Sequence, residues 1–174
     1  MQLAQAQAAL AQADHDKSAA LARATAAEAK AEQTSASANP VVDTAAFANI
    51  DGVTVSAEGN EIHVSIEGDV LFDSGKETIK NGSKKSLDKV AAILKDNYGG
   101  REVRVAGFTD TDPIKYSKFK DNYYLGFDRA YAVREYLLSK GVDGKQVSLS
   151  SYGPNVPLDS KAKSRRVEVI VVTD

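Results

Sequence analysis

VRVAGFTDTDPIKYSKFKDNYYLGFDRAYAVREYLLSKGVDGKQVSL, residues 103–149, is the stretch whose reading decides the fold. Val103 and Val105 alternate with polar residues and run into Gly107-Phe108-Thr109-Asp110, the pattern of a strand passing into a loop. From Asp121 to Ser139 the period changes. At about 100° per residue, Leu125, Ala132, Val133 and Tyr136 share one face, which predicts a helix that buries this stripe and closes at Gly141. Val147 and Leu149 then begin another strand. Strand, helix, strand at this spacing implies a right-handed crossover between parallel strands, with the helix lying on the sheet.

The flanks extend the same architecture. Upstream, Leu87, Val90, Ala91 and Leu94 fall at helical spacing and the pattern stops near Tyr98-Gly99-Gly100, predicting a second amphipathic helix. Before it, Val53 and Val55, then Ile62, Val64 and Ile66, alternate across the turn-like AEGN, as in a hairpin or two short strands. Downstream, VEVIVV at 167–172 is a nearly unbroken β-branched run that fits a central strand covered on both faces. The expected fold is α/β: a two-layer sandwich of βαβαβ type, with a mixed sheet and the helices on one face.

Residues 1–40 differ in kind. Sixteen are Ala, with no Gly or Pro before Pro40, which favours a helix from about Leu3 to Gln33, a stalk or spacer. Residues 41–51 read as linker, leaving 52–174 as the globular domain.

Within the predicted helix, Asn122 and Arg129 fall in the middle of the inward stripe. A guanidinium cannot shed its proton, and desolvating it alone costs several kcal/mol, so an inward Arg129 requires an anion. Either the protein supplies that anion or a ligand does. Asn122 lies two turns nearer the helix start, whose unpaired N–H groups and dipole add to Arg129 as a carboxylate site. In open α/β sheets ligands lie beyond the carboxyl ends of the strands. Asp110, at the end of the Val103 strand, is placed to join them.

Composition narrows the chemistry. The 174 residues contain no Cys, which removes disulfides, thiolate metal sites and a thiol nucleophile, and the two His are too scattered for a histidine zinc site. No metal or cofactor is expected. Residues 1–75 carry 3 Lys+Arg against 11 Asp+Glu, and residues 76–174 carry 19 against 13. The basic charges of the second half are interleaved with acids, unlike a nucleic-acid-binding patch. No stretch approaches the ~20 apolar residues of a membrane span, and MQLAQAQ lacks the regions of a secretion signal. Any membrane attachment is expected to come only from an anchor upstream.

Five stretches carry a family resemblance: GDVLFDSGKETIK at 68–80, VAGFTDTDPI at 105–114, DNYYLGFDRAYAVREYLLSKGV at 121–142, VSLSSYGPNVP at 147–157 and SRRVEVIVV at 164–172. Over about 52–174 the chain resembles the OmpA-like peptidoglycan-binding domain shared by outer-membrane porin-like proteins, the peptidoglycan-associated lipoprotein and the flagellar stator protein MotB. The resemblance implies a non-enzymatic module of the periplasm or cell envelope, anchored to peptidoglycan through the diaminopimelate of the stem peptide. By the same resemblance Asp110 holds the ligand's ammonium and Arg129 its carboxylate, through a planar fork. Asn122, Thr109 and Arg165 fall on further ligand-binding positions. Phe108 stands where His or Tyr is usual, Gly126 where Ser is common, Ser164 where Asn is usual, and the loop from Asp110 to Asn122 is longer than in the simplest members. A homodimer stays open.

Two alternatives accompany this reading. A protein-interaction module would lock Asp110 and Arg129 in an internal ion pair. A magnesium-dependent phosphohydrolase would use Asp110 and Asp112, although Gly107-Phe108-Thr109 separates them from the strand and Ile114 stands where a small or β-branched polar residue is expected. Gly75-Lys76 is not a phosphate loop, because Glu77 replaces the Ser or Thr such a loop needs.

Overall fold

The structure, a computed structural model, describes residues 44–114 and 118–173. The predicted stalk helix lies outside the described residues.

The globular part begins with the hairpin of β1 (Val53–Glu58) and β2 (Glu61–Glu67), paired antiparallel from Val53 opposite Ile66 to Glu58 opposite Glu61. Gly59 turns the chain at φ 56°, a left-handed conformation that glycine adopts without steric cost. A short helix, α1 (Gly68–Leu71), follows at once, then a loop pinned by a bridge between Phe72 and Ile79. Next come α2 (Lys84–Asn97), β3 (Val103–Phe108), α3 (Asn122–Ser139), β4 (Val147–Gly153), α4 (Lys161–Ser164) and β5 (Arg166–Val172).

The five strands form one sheet in the order β1-β2-β5-β3-β4. β3 and β4 run parallel, as the crossover pattern requires, and β5 runs antiparallel to both of its neighbours, β2 and β3. So β2, β3 and β4 all point the same way, with β5 inserted against them. The carboxyl ends of β2 and β3 and the start of β5 therefore meet at one edge of the sheet. The two-layer α/β fold expected from the pattern is the fold observed.

Ile62, Val64 and Ile66 of β2, Val103 and Val105 of β3, and Val167, Val169 and Val171 of β5 face α2 and α3, whose Leu87, Val90, Leu94, Val133 and Leu137 are fully buried against them. Each such side chain contributes about 1.5–3 kcal/mol by leaving water. The central position expected for VEVIVV is correct. Among the described residues its second face is covered by side chains and not by helices: Ile170 joins Ala106 and Phe108, and Arg166 stacks over Phe108 with its guanidinium carbon 3.8 Å from the ring centre.

Two expectations change. On α3 the buried apolar residues are Leu125, Ala130, Val133 and Leu137, while Ala132 and Tyr136 stand partly buried at the flank. Tyr136 is drawn to the seam with α2, where its hydroxyl donates to Asp88 at 2.7 Å. Second, the segment read as linker contains core residues. Phe47 is fully buried, stacks on Tyr98 at 5.8 Å, and together with Ile50 seals the end of the core beside α2. Among the described residues no helix is long and apolar enough to cross a membrane.

Candidate functional site

Where β2, β3 and β5 meet, loops open a groove of about 960 Å³. Thr109, Asp110, Asn122, Arg129 and Arg165, the five residues singled out from the sequence, all line it. So do Asp112, named for the phosphohydrolase alternative, and Asp69, Phe72 and Lys80, which were not singled out.

Arg129 is 4% exposed, and burial lowers the proton affinity of its guanidinium, opposed chiefly by the negative charge of Asp69. Its Nε donates to the Lys76 carbonyl at 3.1 Å, and the guanidinium lies 5.1 Å from the centre of the Phe72 ring. Among the described residues Arg129 has no ion pair, and its two terminal nitrogens have no partner. They open onto the groove.

The internal ion pair exists, but it belongs to Arg165. Its Nε and Nη2 donate to the two Asp69 carboxylate oxygens at 3.2 and 2.6 Å, and its Nη1 donates to Asp110 at 2.8 Å. Gly68 brings the two segments together: its N–H donates to the Arg165 carbonyl at 2.6 Å, and a Cβ there would stand 2.9 Å from the same oxygen. The proposed Asp110–Arg129 pair is thus not the one formed. Asp110 is also held by the Asp112 N–H at 3.2 Å.

Arg165 holds the Asp69 carboxyl below the usual aspartate range, and the two carboxylates raise the Arg165 guanidinium above its ordinary value. A depressed carboxylate stabilises the folded state fully above its unfolded value of about 3.9, and that contribution disappears as pH falls through the lower folded value. An Asp69→Asn variant should therefore lose less stability than the parent between about pH 5 and pH 2. Parallel thermal melts across this range check it, and equal slopes would remove Asp69 from the account.

Asn122 and the helix start are both engaged within the chain itself. The Asn122 amide donates to the carbonyls of Asp110 and Asp112 at 3.3 and 2.9 Å, so it positions the loop. Two of the N–H groups at the start of α3 are already taken, because the Asp121 carboxylate accepts from Tyr123 and Tyr124. Thr109 is 2% exposed, with its hydroxyl donating to the Asp110 carbonyl.

Ser164, where the resemblance leads one to expect Asn, ties the loop ahead of Arg165: it accepts from the Leu158 N–H at 2.9 Å and donates to the Ser160 carbonyl at 2.8 Å. Ser164→Ala leaves that part-buried N–H without its acceptor, at a cost of about 1 kcal/mol. A lower melting temperature and faster proteolysis near Leu158 are the expected readouts.

Asp110 and Asp112, the carboxylates a phosphohydrolase would need, face Arg165 and Lys161, the latter at 2.8 Å. Lys118 pairs with Glu77.

Fold and groove together define a small α/β module with a mixed-charge groove at one sheet edge. The chain belongs to the OmpA family, which residues 71–169 match. Motility protein B of Helicobacter pylori strain J99 is 34% identical over 112 residues, 60% of this chain and 44% of the relative. The peptidoglycan-associated lipoprotein of Buchnera aphidicola is 30% identical over 107 residues, 58% of this chain and 59% of the relative. The crystal structure of the periplasmic domain of Helicobacter pylori MotB superposes with a TM-score of 0.65 at 29% identity, covering 72% of this chain and 82% of that one. The chain spans about half the length of the first curated relatives it matches, from 44% to 54%.

Proposed function

We propose that this domain anchors an envelope protein to the cell wall by binding the stem peptide of peptidoglycan non-covalently, through its diaminopimelate. One observation carries the reading: Arg129 is buried in the lining of the groove, with no partner among the described residues for its terminal nitrogens. A buried guanidinium without a counter-ion is costly, and a ligand carboxylate meeting its planar fork removes that cost. The names of two relatives support the setting, one peptidoglycan-associated and one with a periplasmic domain.

In this reading Arg129 takes the carboxylate and Asp110, held by Arg165, faces the ammonium. Asn122 and Thr109 hold the loop between them. The work is binding and not catalysis. At about 1.5–3 kcal/mol per charged hydrogen bond, less the cost of ordering, one stem binds modestly. A wall presenting the same stem many times turns a weak site into a durable tether through effective concentration. The protein would then sit in the periplasm, with attachment to a membrane supplied by sequence outside the groove domain.

Titration of the isotope-labelled protein with free diaminopimelate and with purified sacculi tests the reading. Shifts are expected at Thr109, Asp110, Asn122 and Arg129. Saturating ligand with no shift at these positions would sink it.

A further inference from the structure

α3 is apolar on two faces. Leu125, Ala130, Val133 and Leu137 pack inward, yet Tyr123, Tyr124, Phe127 and Tyr131 of the same helix are between 43% and 53% exposed. These four are half of the eight large exposed apolar side chains among the described residues. A helix that is apolar all round is ordinarily buried, and a run of exposed apolar side chains on one element marks a contact surface. Tyr123, Phe127 and Tyr131 stand four residues apart, so they form one stripe, with Tyr124 at its edge. The stripe is held in place. The Tyr123 ring lies against Gly153, where a Cβ would stand 2.8 Å from it, and the Tyr123 hydroxyl donates to Asn155 at 2.8 Å. Phe127 and Tyr131 have ring planes within 19° of each other and centres 6.4 Å apart, and the Lys120 ammonium lies 5.8 Å from the centre of the Tyr124 ring. The hydroxyls of Tyr124 and Tyr131 have no hydrogen-bond partner among the described residues.

The chemistry of the stripe selects its partner. Its exposed members are rings and phenolic hydroxyls, with no large aliphatic side chain among them. Outside the groove, the charged residues of this stretch are Lys120 and Arg134 against Asp121, Asp128 and Glu135, two cations against three anions, which does not suit an anionic lipid surface. A sugar ring has flat C–H faces that stack on aromatic faces and polar groups that pair with phenols, so near-parallel exposed rings fit a neutral saccharide. We infer that the Tyr123–Phe127–Tyr131 face is a second binding surface, a platform on which the N-acetylated glycan strand of the wall stacks, separate from the groove. The inference rests on the wall reading of the groove for the source of the sugar. Position agrees with it. The stripe starts one residue beyond Asn122, which lines the groove, and runs about 12 Å along α3 at ~1.5 Å rise per residue. The diamino acid lies only a few residues along the stem from the sugar that carries it, a reach of about 10 Å for an extended chain. A stem seated in the groove therefore keeps its glycan within reach of the platform.

Titration of the isotope-labelled full chain with a chitin oligosaccharide, a stem-free chain of N-acetylglucosamine, tests this. Shifts are expected in the rings of Tyr123, Phe127 and Tyr131, with Thr109 and Asp110 unmoved. The double variant Phe127→Ser, Tyr131→Ser should bind the oligosaccharide about tenfold more weakly or worse and be retained severalfold less by sacculi, while its affinity for free diaminopimelate and its melting temperature match the parent's. No shift on the stripe, or shifts confined to the groove, overturns the inference, and so does equal retention of parent and variant by sacculi. Sedimentation at rising protein concentration covers the other occupant: a dimer that the double variant abolishes would assign the stripe to a second copy and overturn the inference. Oligosaccharide shifts on the stripe with no response to diaminopimelate would overturn the stem reading and leave the platform standing. The shift map of the parent protein needs no variant, so the test holds even if the double variant fails to fold.

Discussion

Arg129→Met should leave the domain at least as stable as the parent while removing its hold on sacculi. In the free protein the guanidinium is 4% exposed and gains one hydrogen bond, from Nε to the Lys76 carbonyl, and a ring contact with Phe72. Without a carboxylate partner its desolvation is poorly offset, so an apolar side chain of similar length is expected to be neutral or stabilising by about 1 kcal/mol. Binding should fall about a hundredfold or more, since the ligand carboxylate would then be buried against a thioether. Co-sedimentation with sacculi beside a thermal melt gives both numbers. A variant that melts far below the parent would mean that Arg129 holds the fold together, and the argument for a ligand would lose its basis.

The second large effect lies in the fold. β3 and α3 touch backbone to backbone: a Cβ on Gly107 would stand 1.9 Å from the Gly126 carbonyl oxygen, and one on Gly126 would stand 3.2 Å from the Gly107 carbonyl oxygen. Neither backbone can move aside like a flexible side chain. Gly107→Ala should therefore push α3 off the sheet and cost about 3 kcal/mol or more, lowering the melting temperature by at least about 10 °C. Gly82→Ala is the control, because nothing lies within 4 Å of a Cβ there. Equal melting of the two variants would show that α3 is free to shift. The same contact accounts for Gly126 where the resemblance leads one to expect Ser, since the added side chain would also meet Ser151 Oγ at 2.6 Å.

Periodicity made much of the fold legible. The change from alternation at Val103 and Val105 to helical phase after Asp121 places the crossover, and that phase turns Arg129 inward. Residues 71–169 then match the OmpA family. What escaped reading was long-range pairing. Arg165 joins Asp69, 96 residues away, and Asp110, 55 residues away, and no local pattern says which carboxylate a cation will find. Asp69 did have a signal, as an acidic residue at the end of an apolar strand and inside GDVLFDSG. Phe47 was missed because its neighbours are small and polar, so a single buried ring leaves no period to detect. The Asp121 cap was visible as an acidic residue at a helix start, and giving it weight would have shown those N–H groups to be occupied.

The position of β5 bears on how the molecule comes into being. Its seven residues bridge β2 and β3, which have no pairing with each other. The β1-β2 hairpin and the β3-α3-β4 unit are therefore joined into one sheet by the last of the five strands in chain order. Arg165 immediately precedes that strand, so the strand that joins the two halves of the sheet also sets the clasp on Asp69 and Asp110.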